Sequence, residues 1–226
     1  MRTLLRRLLP ERLRLLAHPY PSLRETLLYP ERWQPAPRGN VLILGSIVGS
    51  AMMACGGTLA EWAQGEATVH LAWEKRPDND HLLEAGRRAA TVLGVATTHL
   101  VSVMEVEALA RKLVPSVVIA PGLFSGFTNG SPTAKWLEVC SRAARPKHVG
   151  FHDGDGPGAV NVLNELSEGI LEKRRQALGQ ISEELVLAAD GLSEYRGFTA
   201  GFFRGHAEAF LRLDTKELKR LRTFLE

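Results

Sequence analysis

The sequence predicts an α/β fold: a Rossmann-like three-layer α/β/α arrangement on a mostly parallel sheet, preceded by an N-terminal amphipathic helical arm. Three observations predict it. Short apolar runs recur along the chain, VLIL at 41–44, ATVHLAW at 67–73, THLVSV at 98–103 and SVVIAP at 116–121. VLIL is apolar throughout and ends at Gly45, the mark of a parallel strand buried on both faces. Helical stretches alternate with these runs, and βα alternation builds parallel sheets.

The elements follow in order. Residues 1–20 set Leu clusters against Arg at helical spacing, with Pro10 dividing them into one or two short amphipathic helices. Such an arm packs on the domain or on a sister subunit; attachment to a membrane surface is the alternative. Arg6, Arg7 and Pro10 interrupt the apolar stretch and no small-residue cleavage site follows, which argues against a secretory signal. PERWQPAPRGN is the linker, so the boundary is placed with the arm at 1–38 and the α/β domain at 39–226. After the strand at 41–44 comes a helix over 52–64 with Gly65 as its C-cap. One helix is predicted over 78–94, with Asp78 and Asn79 as N-cap candidates and Gly94 as its stop. Further helices are expected over 105–114 and 134–144, a strand within KHVGFHD, a long helix over 165–185 and a helical tail from about Asp214.

Charge is unevenly spread. Residues 1–38 carry eight Arg against three Glu, and the remainder twenty basic against twenty-two acidic residues. The basic character therefore belongs to the arm, and the domain is not expected to bind nucleic acid. Cys55 and Cys140 stand alone in apolar helical contexts, which fits buried thiols in a reducing, cytoplasmic setting. No run of eighteen apolar residues occurs.

Six motifs in order resemble the LmbE/PIG-L family of zinc-dependent de-N-acetylases. They are VLIL with Cys55-Gly56-Gly57-Thr58, Glu84, Leu93-Gly94-Val95, Pro115-x-Val117-Val118-x-x-Pro121, VNVLNELSEGILEKRRQALGQ at 160–180, and Ala207-Glu208-Ala209-Phe210. The resemblance spans roughly residues 40–212. It implies a zinc hydrolase that removes acetyl groups from amino-sugar substrates, with an Ala-His-Pro-Asp-Asp-Glu signature directly after the first strand. In that signature His and the second Asp hold zinc, and the first Asp is the general base.

This chain departs from the pattern at those positions. Counted back from Cys55, the ligand His falls on Ile47, the base on Gly49 and the ligand Asp on Ser50, and no His, Asp or Glu lies between Arg38 and Glu61. The family's third ligand comes from a His cluster after the fourth strand, yet no His or Asp occurs between Val114 and Lys147. A catalytic zinc needs three N, S or carboxylate ligands and an open position. The family zinc is therefore expected to be absent, with no metal site and no catalytic residue in its place.

Other residues could still bind a ligand. His81 stands where the family carries an Arg; its plainer reading is a surface residue near a helix start. The cluster His152, Asp153 and Asp155 offers one imidazole and two carboxylates, although turn chemistry explains FHDGDGPG more cheaply. The resemblance implies that Phe124, Ser125, Phe127, Thr128 and Asn129 face the former site, where they suit a sugar-like small molecule or a subunit surface. Ser46 and Ser50 are candidate caps of the following helix, and neither sits in a nucleophile elbow.

Three functional classes stay open. The first is a non-catalytic relative of the deacetylases serving as a binding or assembly protein, as a homo-oligomer or with an active relative. The second is an amide hydrolase with chemistry relocated around His152 and Asp153. The third is an accessory protein of glycan biosynthesis, cytoplasmic and peripheral to the membrane through its arm.

Overall fold

The computed structural model describes residues 33–121, 139–140, 142–144, 146–152, 162–199, 205–214 and 216–217. The elements are β1 (Gly39–Gly45), α1 (Ser50–Gln64), β2 (Ala67–Glu74), α2 (Pro77–Asp80), α3 (Leu83–Leu93), β3 (Thr97–Val101), α4 (Val103–Leu113), β4 (Val117–Pro121), β5 (His148–His152), β6 (Val162–Leu166), α5 (Glu168–Gly179), α6 (Glu183–Thr199) and β7 (His206–Asp214). The seven strands form one sheet in the order β3-β2-β1-β4-β5-β7-β6. Only β7 runs antiparallel to its neighbours, so the predicted three-layer, mostly parallel architecture is the observed one.

Alternation along β1 makes the layers. Val41 and Ile43 face one core with Met52, Leu59, Trp62, Leu93 and Leu178, from α1, α3 and α5. Leu42 and Leu44 face the other, with Val106 and Ala110 of α4 and with Cys140. All four side chains are fully buried, which is why VLIL carries no polar residue.

Several elements differ from expectation. The helix expected over 78–94 is two, α2 and α3; Arg76 rather than Asp78 or Asn79 is the N-cap of α2, and Asn79, inside α2, turns its side chain into the neighbouring loop. The helix expected over 165–185 is interrupted too. Val162–Leu166 is strand, and α5 stops at Gly179 before Ser182 Oγ accepts Leu185 N–H and starts α6. Residues 206–214, for which helical and alternating patterns are both weak, form β7, the interior strand between β5 and β6. The linker also reaches inward. Trp33 packs edge-on to Trp62 and Phe210 at ring-centroid distances of 5.2 and 5.5 Å, and its backbone N–H donates to Asn164 Oδ1 at 3.0 Å.

α1 is two helical pieces joined at Cys55, whose φ of −146° is not helical. The second piece begins at the Gly56-Gly57-Thr58 motif and takes its cap from far along the chain. Gly57 N–H and Thr58 N–H donate to Glu208 Oε1 and Oε2 at 2.8 and 2.7 Å. A carboxylate at the first turn satisfies amides that have no partner inside the helix and meets its positive end. Gly57 also allows the close approach: a Cβ there would lie 2.7 Å from Leu166 Cδ2. Arg174 completes the arrangement, donating to Glu208 at 3.2 Å, to Asp190 Oδ1 at 3.0 Å and to Ser193 Oγ at 2.8 Å. Burial pushes the Glu208 carboxyl up, opposed by Arg174 and the two amides.

Candidate functional site

β1 is flanked by β2 on one side and β4 on the other, so the chain order reverses direction across it. In open α/β sheets a ligand crevice lies at the carboxyl end of the strands at such a point. Here that place is the turn Ser46–Gly49, between Gly45 and the first residue of α1.

The turn is held by Asn79, whose side chain is fully buried. Its Oδ1 accepts Val48 N–H at 2.9 Å, and its Nδ2 donates to Ser46 O at 3.0 Å and to Glu74 O. One amide thus ties the β1 turn to the end of β2. Beneath it Val48 is buried against α3, where the space depends on Gly86, since a Cβ at 86 would collide with Val48 Cγ1.

Ser46 and Ser50 do not cap α1. The N-cap is Gly49, with φ of 95° and no side chain to offer, and Ser50 Oγ turns back to donate to Ile47 O at 2.8 Å. Ile47 leaves 43% of its surface exposed at the rim. The side of Gly49 is closed by the start of α6. A Cβ placed there would lie 3.0 Å from Leu185 Cδ1 and 3.3 Å from Ile181 Cδ1. Ile47, Val48, Ile181 and Leu185 therefore give this end of β1 an apolar floor.

The zinc implied by the family resemblance does not fit these residues. Ile47 and Gly49 offer no ligand atom, and the one hydroxyl, on Ser50, is hydrogen-bonded to a backbone carbonyl. Among the described residues no group of three His, Cys, Asp or Glu could hold a metal ion. The thiols are poor nucleophiles: burial pushes Cys55 well up, with Glu208 adding to it, and pushes Cys140 up to about 12.

The other candidates are scattered. His81 is exposed at the end of α2, and Glu84 is exposed in a 2.6 Å pair with Arg87. His152 is buried at the end of β5, two strands away from β1, with Pro121 and Phe210 as its register partners. Asp153, Phe124, Ser125 and Asn129 lie outside the described residues. Asn79, Ile181 and Leu185 join the site only in the folded chain. Nothing local marks them, because the contacts that matter cross 31 residues from Asn79 to Val48 and more from α6 to Gly49.

A carboxylate at Gly49, where the resemblance would place a base, is expected to harm the protein. Gly49→Asp forces a side chain into a left-handed backbone conformation against Leu185, costing about 1–2 kcal/mol for the backbone before any repacking. Chemical denaturation should show that loss, and Leu185→Ala in the same chain should cost less with Gly49→Asp than the two single changes added.

No family model matches the sequence, and no curated protein matches it either. Solved structures do match by fold. The N,N'-diacetylchitobiose deacetylase from Pyrococcus horikoshii has a TM-score of 0.60 and 12% identity, over 84% of this chain and 90% of its own. The deacetylase of the teicoplanin biosynthetic pathway has a TM-score of 0.60 and 14% identity, over 78% and 99%. The 4-carboxy-2-hydroxymuconate hydratase from Pseudomonas putida has a TM-score of 0.63 and 13% identity, over 78% and 96%. The chain has a fold shared by LmbE/PIG-L-like deacetylases and by a hydratase.

Proposed function

We propose that this chain is a deacetylase-like protein without deacetylase chemistry, acting as a binding or assembly component linked to glycan or amino-sugar metabolism. The observation that carries the reading is the filled floor at the end of β1, where Ile181 and Leu185 close over Gly49. The metal-ligand and base positions, Ile47, Gly49 and Ser50, carry no group that could activate a water. Replacing buried charge with apolar side chains removes a desolvation cost that only a bound metal would offset. The amino-sugar link rests on the deacetylases that share the fold, and the hydratase that shares it too shows that a fold does not fix a reaction.

The role calls for a partner, either a second copy of the chain or a catalytically intact relative, with the Arg-rich arm as a contact surface. Light scattering over a concentration series, with and without residues 1–30, tests self-association; an arm-dependent rise in mass is expected. Catalysis is tested by acetate release from N-acetylglucosamine with zinc added. The expected rate is that of buffer alone. Acetate release abolished by His152→Ala would favour a relocated hydrolase site instead.

A further inference from the structure

A second polar cluster lies on the α4 face of the sheet, near the amino ends of β1 and β3 and away from the turn after β1. It joins Asn40 of β1, His70 of β2, Thr97 and His99 of β3 and the carbonyl of Leu113 at the end of α4. The pattern of donors and acceptors assigns every hydrogen in it. Asn40 Nδ2 donates to Leu113 O, which turns Oδ1 toward His70 Nε2 at 3.1 Å. An amide oxygen only accepts, so His70 Nε2 carries a hydrogen. The neutral ring then has a lone pair on Nδ1, and the Thr97 hydroxyl 2.7 Å away donates to it. With its hydrogen committed, Thr97 Oγ1 accepts from His99 Nε2 at 2.8 Å.

We infer that His70, Thr97 and His99 form a proton relay that holds one shared proton between two rings. An extra proton arriving on His99 Nδ1 leaves the pattern intact. His99 Nε2–H can then pass to Thr97 Oγ1 as the hydroxyl hydrogen passes to His70 Nδ1. The charge moves to His70, His99 is left neutral with its hydrogen on Nδ1, and every contact survives with the hydroxyl reversed. A second proton has no such place. Both rings would point N–H groups at one oxygen, with two like charges a hydroxyl apart.

The surroundings favour the neutral pair. His70 is buried, and the other ionisable group facing it is His99; Lys112 of α4 faces His99. Asn40, from β1, is uncharged. Burial holds both rings below the usual histidine range, with His99 adding to the effect on His70 and Lys112 to that on His99. An unfolded histidine, ordinarily near pKa 6.5, gains its proton before the folded one. Stability from the cluster is therefore full above about pH 6.5 and declines as pH falls through that value toward the folded pKa values. The corner joining β1, β2, β3 and α4 becomes an acid-sensitive part of the sheet.

Nitrogen-15 NMR of histidine-labelled full-length protein tests the relay. At neutral pH both rings should carry hydrogen on Nε2, and on acidification their signals should move together through one step worth one proton for the pair. Thr97→Val should split this into two independent one-proton titrations, and Thr97→Ser should keep the joint step. Hydrogen on His70 Nδ1 at neutral pH, or independent titrations in the unsubstituted chain, would overturn it. If the valine variant fails to fold, the unsubstituted chain and the serine variant still decide.

Discussion

Replacing Arg174 with Met is expected to destabilise the domain by about 3–5 kcal/mol, the cost of leaving one member of a buried ion pair alone. Arg174 and Glu208 are both 1% exposed, and the guanidinium also serves Asp190, Ser193 and the carbonyl of Ala189. With Arg174 gone, the already raised Glu208 carboxyl loses the charge that opposes its burial and shifts further up. A protonated Glu208 is a poorer acceptor for Gly57 and Thr58, so the second half of α1 loses its cap as well. Combining Arg174→Met with Glu208→Gln should cost less than the sum of the two single changes, because the charge is removed together with its partner. Urea denaturation of the four proteins measures this directly. Additive losses would mean that the pair is not coupled through the helix cap.

Trp33→Ala is expected to cost about 3–5 kcal/mol, as removal of a buried tryptophan does. The ring fills the space over Gly150, where a Cβ would sit 2.9 Å away, and packs against Trp62 and Phe210. Its amide fastens to Asn164, whose Nδ2 in turn donates to Thr58 Oγ1 beside the Glu208 cap. Deleting residues 1–30 keeps Trp33 and should leave cooperative unfolding intact. Deleting 1–38 removes this ring and should behave like the point substitution or worse. Near-equal stability of the two truncations would place the boundary of the domain at the end of the linker and make Trp33 dispensable.

The fold was legible where one segment carries its own evidence. β1 is apolar at each of Val41, Ile43, Leu42 and Leu44 because both faces are covered, and Gly65 and Gly94 stop α1 and α3 as their positions suggest. It was less legible where a distant group decides. Asn79 looks like a helix cap and acts as a clamp across 31 residues. β7 reads weakly because Phe210 and Leu211 must both be buried, on opposite faces, which erases alternation. Counting from Cys55 reaches the turn after β1 that holds Ile47, Gly49 and Ser50, but it does not reveal what closes over that turn. Ile181 and Leu185 reach Gly49 from the α5–α6 corner, a break that the helical pattern of 165–185 conceals.

Whether the end of β1 is an apolar floor or a metal centre is decided by zinc titration of the purified full-length chain in a calorimeter, followed by metal analysis after dialysis. An apolar floor gives no saturable heat and far less than one zinc per chain, unchanged by Ser50→Ala. One zinc per chain that survives dialysis and is lost on Ser50→Ala would contradict it.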